Sequence, residues 1–208
     1  ANYTALNSND STILLDMFRH FKKVTDEHNI EWWGQCGTML GAVRCGGLIR
    51  WDDDIDVAMS FESFEMLKIV RYKLECRGKY RVKYVGQYCK LEHVASIDDT
   101  GEAKLWIDIF KVKDGIYSQK HCQGSNAPDN LRLPLRPINF SGIVILIPNK
   151  AEELLDIEFK DWRTKAVIYN HRAPKSKVKK GVKLTASWGA YQQLGTYPLT
   201  PEINKPIK

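Results

Sequence analysis

Acidic residues crowd one short stretch of the chain, Trp51-Asp52-Asp53-Asp54-Ile55-Asp56-Val57, and their spacing is the first chemical clue. Side chains on a strand alternate faces, so Asp54 and Asp56 share one face while Ile55 and Val57 turn toward a core on the other. Two carboxylates so close repel each other, and their ionised forms need compensation. A hard divalent cation supplies it; Mg²⁺ is commonly held by one or two carboxylates together with waters and substrate phosphates. A third acid, Asp108, interrupts the apolar run Trp106-Ile107-Asp108-Ile109-Phe110. A lone buried carboxylate is costly, whereas one on a neighbouring strand would complete a triad. Asp54, Asp56 and Asp108 are therefore the candidate metal ligands and catalytic residues. The competing readings are a solvated acidic turn at Asp52-Asp53-Asp54 and a structural Asp108 in a hydrogen-bond network. A calcium loop of the EF-hand type fails: with Asp52 as its first position, Val57 stands where Gly is needed and Ser63 where Glu is needed.

Upstream lies Gly37-Thr38-Met39-Leu40-Gly41-Ala42-Val43-Arg44. Gly37 lets the backbone turn closely, and Thr38 can cap a short helix whose free N–H groups attract phosphate. Arg44, farther along, could add a bidentate phosphate contact. Trp51 is a candidate to stack on a base or sugar, with packing as the plainer role. A phosphate cradle beside metal carboxylates points to phosphoryl or nucleotidyl transfer by positioning and charge neutralisation.

The elements that must hold these residues follow from pattern. Ile13, Leu14, Met17, Phe18 and Phe21 recur at helical spacing behind Ser11-Thr12, with Asn29 as a stop. Strands are expected at 30–33, 55–59, 80–85, 88–96, 103–112 and 143–147. Further helices are expected from Thr38, from Ser60 to about Arg77, and from about Lys150 to Trp162. The mixture is one α/β (mixed α+β) domain over 1–171, followed by a basic, Pro-containing segment over 172–208.

Composition bounds the rest. The 208 residues are 43% apolar and 27% charged, ample for a core. The longest apolar run, Ile143 to Ile147, is far short of the roughly 18 residues of a membrane span, and no signal-peptide pattern is visible at the N-terminus. The net charge of +6 is unevenly spread: residues 1–162 hold 21 Lys/Arg against 24 Asp/Glu, whereas 163–208 hold 10 against Glu202 alone. The basic run 172–183 reads as a solvated tail or an anion contact, and without interleaved aromatics it argues against nucleic acid. The five cysteines match no zinc pattern and read as free thiols, a disulfide in an oxidising compartment being the alternative. The five histidines show no metal-like pairing; His93 lies three residues beyond Lys90.

The stretch GTMLGAVRCGGLIRWDDDIDVAMS resembles the signature of the LicD family, which includes phosphocholine transferases and the fukutin-type ribitol-phosphate transferases. The likeness runs on through Lys90 in CKLEH, Asp108 in WIDIFKV, and ILIPNKAEELLDIEFKDW ending at Trp162. It departs from the family pattern at Arg50, where Pro is usual, and at Phe159-Lys160. The resemblance implies a nucleotidyltransferase-like fold, a small mixed sheet flanked by helices. It further implies Mg²⁺ or Mn²⁺ on Asp54, Asp56 and Asp108, with Gly37, Thr38, Arg44 and Lys90 on the donor phosphates. The donor would be a CDP-linked alcohol and the acceptor a glycan hydroxyl; CMP would leave, with Asp108 as a possible base. The alternatives are transfer of the NMP half of an NTP and a catalytically silent anion-binding protein of the same fold. Three N-x-Ser/Thr sequons, at Asn2, Asn9 and Asn139, fit a Golgi or secretory lumen, whereas a bacterial or viral relative would be cytoplasmic.

Overall fold

A computed structural model describes residues 6–49, 52–113, 116–117, 128–168 and 182–185. Trp51 and Arg50, and residues 172–181 of the basic run, lie outside the described residues. Helix α1 (Ser8–Glu27) begins one turn earlier than its apolar pattern suggested. Asn7 is the cap, its Oδ1 accepting the Asp10 N–H at 2.8 Å, while the Ser11 and Thr12 hydroxyls bond back to the carbonyls of Asn7 and Ser8. The buried stripe Leu14, Met17, Phe18, Phe21 and Val24 packs on Trp32, with Phe18 and Phe21 each edge-on to its ring. Side chains of this size each contribute about 1.5–3 kcal/mol when buried.

Strand β1 (Trp33–Gly34), helix α2 (Cys36–Cys45) and strand β2 (Asp54–Ser60) follow. The expected strand at 30–33 is thus reduced to two residues, and the N-cap of α2 is Gln35 rather than Thr38. Ser60 caps α3 (Phe61–Ile69), accepting the Ser63 N–H at 3.1 Å. The expected single helix to Arg77 instead kinks at Val70 into α4 (Arg71–Leu74), and three successive positive φ angles at Cys76, Arg77 and Gly78 turn the chain into β3 (Tyr80–Val85). Strands β4 (Tyr88–His93), β5 (Trp106–Lys113) and β6 (Ile116–Tyr117) complete the main sheet.

The sheet runs β1-β2-β5-β4-β3, with β6 on β5; β2 and β5 are parallel and the other pairs antiparallel. It is therefore mixed, as expected. Ile55, Val57, Leu91, Ile107 and Ile109 are fully buried, and the acidic residues alternate with them along the same strands.

Beyond α5 (Asp129–Arg132), a hairpin that the pattern only half showed pairs β7 (Arg136–Phe140) with β8 (Ile143–Ile147). Pro137 sits in β7, whose outer edge needs no N–H there. Ser141 and Gly142 both take positive φ, as a two-residue hairpin turn requires. This tip fastens the loop after α2: the Ser141 hydroxyl accepts the Leu48 N–H at 2.9 Å and its own N–H donates to Gly46 O. Helix α6 (Ala151–Glu158) stops four residues before the expected end, because Phe159 is extended and Asp161 has positive φ, which lets Trp162 fold back. Strands β9 (Lys165–Ile168) and β10 (Val182–Thr185) pair antiparallel, so the last two residues of the basic run lie in a strand. No described helix is long and apolar enough to cross a membrane.

The seating of α2 depends on one close approach. A Cβ on Gly41 would lie 2.4 Å from the backbone oxygen of Gly47. Gly41→Ala should cost about 1–3 kcal/mol, the scale of overpacking a core, read as a lower denaturant midpoint; an unchanged midpoint would contradict this packing.

Candidate active site

The first turn of α2 is clasped onto β2 at a single residue, Asp56. Gln35 N–H donates to Asp56 O at 3.1 Å, Gly37 N–H to Asp56 Oδ2 at 3.1 Å, and Asp56 N–H to the Thr38 hydroxyl at 2.8 Å. The polar groups of Gly37 and Thr38 expected on phosphate thus hold the acidic strand. Between Gln35 and Gly37, Cys36 sits in the left-handed region (φ 48°), and it is disulfide-bonded, whereas Cys45, Cys76 and Cys89 are not. A disulfide takes up two thiols, so the free-thiol reading gives way to its alternative, a disulfide.

Strand register builds the rest. In the parallel β2–β5 pair Asp56 stands directly opposite Asp108, and Asp54 opposite Trp106. In the antiparallel β4–β5 pair Lys90 stands opposite Asp108. One face of three adjacent strands therefore carries Asp56, Asp108 and Lys90 in a row. Carboxylate oxygens of Asp54, Asp56 and Asp108 lie within 4.8 Å of one another, and those of Asp52, Asp53 and Asp54 form a second such group sharing Asp54. Lys90 Nζ approaches Asp108 Oδ1 to 3.2 Å and lies 4.1 Å from the Trp106 ring centre, while the Trp106 indole N–H donates to Asp108 Oδ2 at 2.9 Å. Oδ2 of Asp108 is thus hydrogen-bonded, while buried Oδ1 lies in ion-pair reach of Lys90 and accepts no hydrogen bond among the described residues.

Two further residues stand apart from the acidic row. Arg44 is at the far end of α2 and only 2% exposed; its guanidinium donates to the Trp162 carbonyl at 3.3 Å, bracing α2 against the segment after α6. It meets protein where a phosphate was expected. His93 packs against Tyr80, away from the acidic row.

Three residues the sequence did not single out belong to the site. Asp52 lies against the first turn of α2, where a Cβ on Gly37 would fall 2.4 Å from its Oδ2. Gln35 is wholly buried, and its amide donates to Glu158 Oε1 at 2.8 Å. The acidic run was a signal for Asp52; no local signal marked Gln35 or Glu158.

The electrostatics follow from crowding. Burial, and after it the charges of Asp54, Asp56 and Asp53, hold the Asp52 carboxyl well above the usual range. Burial, then Asp54 and Asp108, does the same for Asp56, against the lowering effect of the Gly37 N–H. Burial pushes Glu158 up to about 7, the Gln35 hydrogen bond opposing. An all-oxygen donor set with several mutually repelling carboxyls in reach of one point fits a hard dication.

A family model described as LicD/FKTN/FKRP, nucleotidyltransferase domain, matches residues 29–150. The chain belongs to this family. Its relatives include protein RP689 of Rickettsia prowazekii, 27% identical over 94% of this chain and 68% of that protein. Human ribitol 5-phosphate transferase FKRP is 26% identical over 70% of this chain, and the lipopolysaccharide cholinephosphotransferase LicD of Haemophilus influenzae 28% identical over 50%. The chain spans only 31% of FKRP and 43% of that LicD. The family match takes in Gly37, Thr38, the acidic run, Lys90 and Asp108, and stops short of Glu158.

Raised carboxyls give the site a definite pH sign. Asp52, Asp56 and Glu158 bind protons more tightly folded than unfolded, so metal-free stability should fall as pH rises from about 4, through 7 for Glu158. For Glu158 alone the loss is on the order of 3 kcal/mol. Mn²⁺ should therefore raise the melting temperature more at pH 8 than at pH 5.5, where protons already neutralise the site. Melting curves in EDTA and in Mn²⁺ at both pH values check this; equal shifts would contradict it.

Proposed function

We propose that this LicD-family chain is a metal-dependent phospho-alcohol transferase. It moves a phosphocholine- or ribitol-phosphate-type group from a CDP-linked donor to a glycan hydroxyl and releases CMP. The observation that carries the reading is the convergence of Asp54, Asp56 and Asp108 within 4.8 Å, beside Lys90, in a chain of this family. The names of two relatives, a ribitol 5-phosphate transferase and a lipopolysaccharide cholinephosphotransferase, support both the transferred group and a glycoconjugate acceptor.

The acceptor oxygen attacks the distal phosphorus of the donor diphosphate. A new P–O bond forms, the bond from that phosphorus to the bridging oxygen breaks, and the electron pair leaves with CMP; the hydroxyl proton passes to water. Mg²⁺ or Mn²⁺ on Asp54, Asp56 and Asp108 supplies neutralisation of the diphosphate. The chain's own residues provide the rest. The α2 clasp fixes Asp56, the Trp106 indole and Lys90 fix Asp108, and Lys90 brings its ammonium to the edge of the acidic row. Preorganisation of this kind is what phosphoryl transfer asks of a protein.

The deciding experiment is a donor screen with CDP-choline, CDP-ribitol and CTP in the presence of Mg²⁺ or Mn²⁺, scored for CMP and for pyrophosphate. CMP release from a CDP-alcohol is expected, and Asp54→Asn should lower it by about 10²-fold or more, the scale of losing one preorganised charged group. Pyrophosphate from CTP, with no CMP from either CDP-alcohol, would overturn the proposal in favour of nucleotidyl transfer.

A further inference from the structure

Glu158 is the last residue of α6 and lies beyond residues 29–150, where the family match ends. It nevertheless reaches the base of the acidic site. Its Oε1 accepts the Gln35 side-chain N–H at 2.8 Å, 123 positions away in sequence, and its Oε2 is buried with no hydrogen-bond partner among the described residues. A carboxylate in such a place is costly, the more so because its charge faces Asp56. What it holds is specific. Gln35 is fully buried and is the N-cap residue of α2, yet its side chain does not cap its own helix. Its amide is divided instead: the oxygen accepts from the Trp33 indole at 3.3 Å and the nitrogen donates to Glu158. Its backbone N–H then donates to Asp56 O, and the next turn grips the Asp56 carboxylate through Gly37.

We propose that Glu158 is a positioning residue of the active site: through the Gln35 amide it sets the first turn of α2, and thereby the direction of the Asp56 carboxylate toward the bound cation. The inference rests on the cation reading of Asp54, Asp56 and Asp108. Glu158 acts here as a hydrogen-bond acceptor and is not a ligand. Its role would be that of the outer partners of metal ligands, whose removal typically costs about 10–100-fold in metal affinity.

The test is Mn²⁺ titrated into the metal-free protein, with free Mn²⁺ read by electron paramagnetic resonance, so that no donor or acceptor need be known. Glu158→Ala should weaken Mn²⁺ binding by about tenfold or more. Glu158→Gln keeps an oxygen that can accept from Gln35 and should restore affinity to within about threefold of wild type, a rescue that loss of general stability would not give. Gln35→Ala removes the same bond from its other end and should reproduce the loss, and the Gln35→Ala/Glu158→Ala double variant should be no worse than either single one. Wild-type affinity in Glu158→Ala overturns the proposal, as does Glu158→Gln falling as far as Glu158→Ala. If Glu158→Ala does not fold, wild-type affinity in Gln35→Ala overturns it equally. A wild-type protein that binds no Mn²⁺ overturns the cation reading first, and this inference with it.

Discussion

Like charges held against their own repulsion are the constraint to which the rest of this structure answers. Asp52, Asp54, Asp56 and Asp108 gather within a few ångströms, two of them with carboxyls driven well above their ordinary range. Such a cluster persists only if the backbone around it is over-determined. The protein meets that need at Asp56, whose N–H, C=O and carboxylate are all bound by residues 35–38. The parallel β2–β5 pairing then fixes Asp108 opposite Asp56, and the buried Ile55, Val57, Ile107 and Ile109 behind them hold that register. A slip of one residue would send every acid into the core and every isoleucine to solvent.

How much of this was legible in the sequence depends on how local each relation is. Period-two alternation separates Asp54 and Asp56 from Ile55 and Val57 without any tertiary knowledge, and the structure keeps that separation. Lys90 entered only through the family likeness; its contact with Asp108 comes from the β4–β5 register, which no single segment encodes. Gly37 and Thr38 were read for phosphate, and in the fold their polar groups meet Asp56. A glycine that admits a close neighbour and a hydroxyl at a helix start are local facts, whereas the identity of the protein neighbours, Asp52 and Asp56, is decided by how β2 lies against α2. The surroundings of Arg44 were hidden for the same reason. Its helical position said which way it points, but the return of Trp162 beneath α2, which buries it, depends on α6 ending early. Gln35 and Glu158 were invisible, being joined by one hydrogen bond across most of the folded domain.

The segment after residue 150 is thereby tied to the active site. Trp162 O receives Arg44 from the C-terminal end of α2, and Glu158 receives Gln35 from its N-terminal end. Helix α2 is held at both ends by α6 and the turn behind it, while its middle closes on Gly47. A short helix with modest intrinsic stability, carrying Gly37 and Gly41 inside it, needs such external bracing to present a fixed first turn. The catalytic half of the fold and the segment beyond it are mechanically one unit at this helix.

Net charge misleads about such a protein. The excess of positive charge lies beyond residue 162, while the site is defined by acids with Lys90 on their border. One ammonium cannot neutralise three or four carboxylates, and here it is already committed to Asp108 and to the face of Trp106. The remaining imbalance has two physical remedies, protons at low pH or a divalent cation near neutrality. Only the second would leave the carboxylates able to present a metal to a diphosphate, as the proposed function requires. On the proposed reading, the repulsion that makes the metal-free site unfavourable would also favour a small, doubly charged, oxygen-seeking ion over the monovalent cations that surround it in solution.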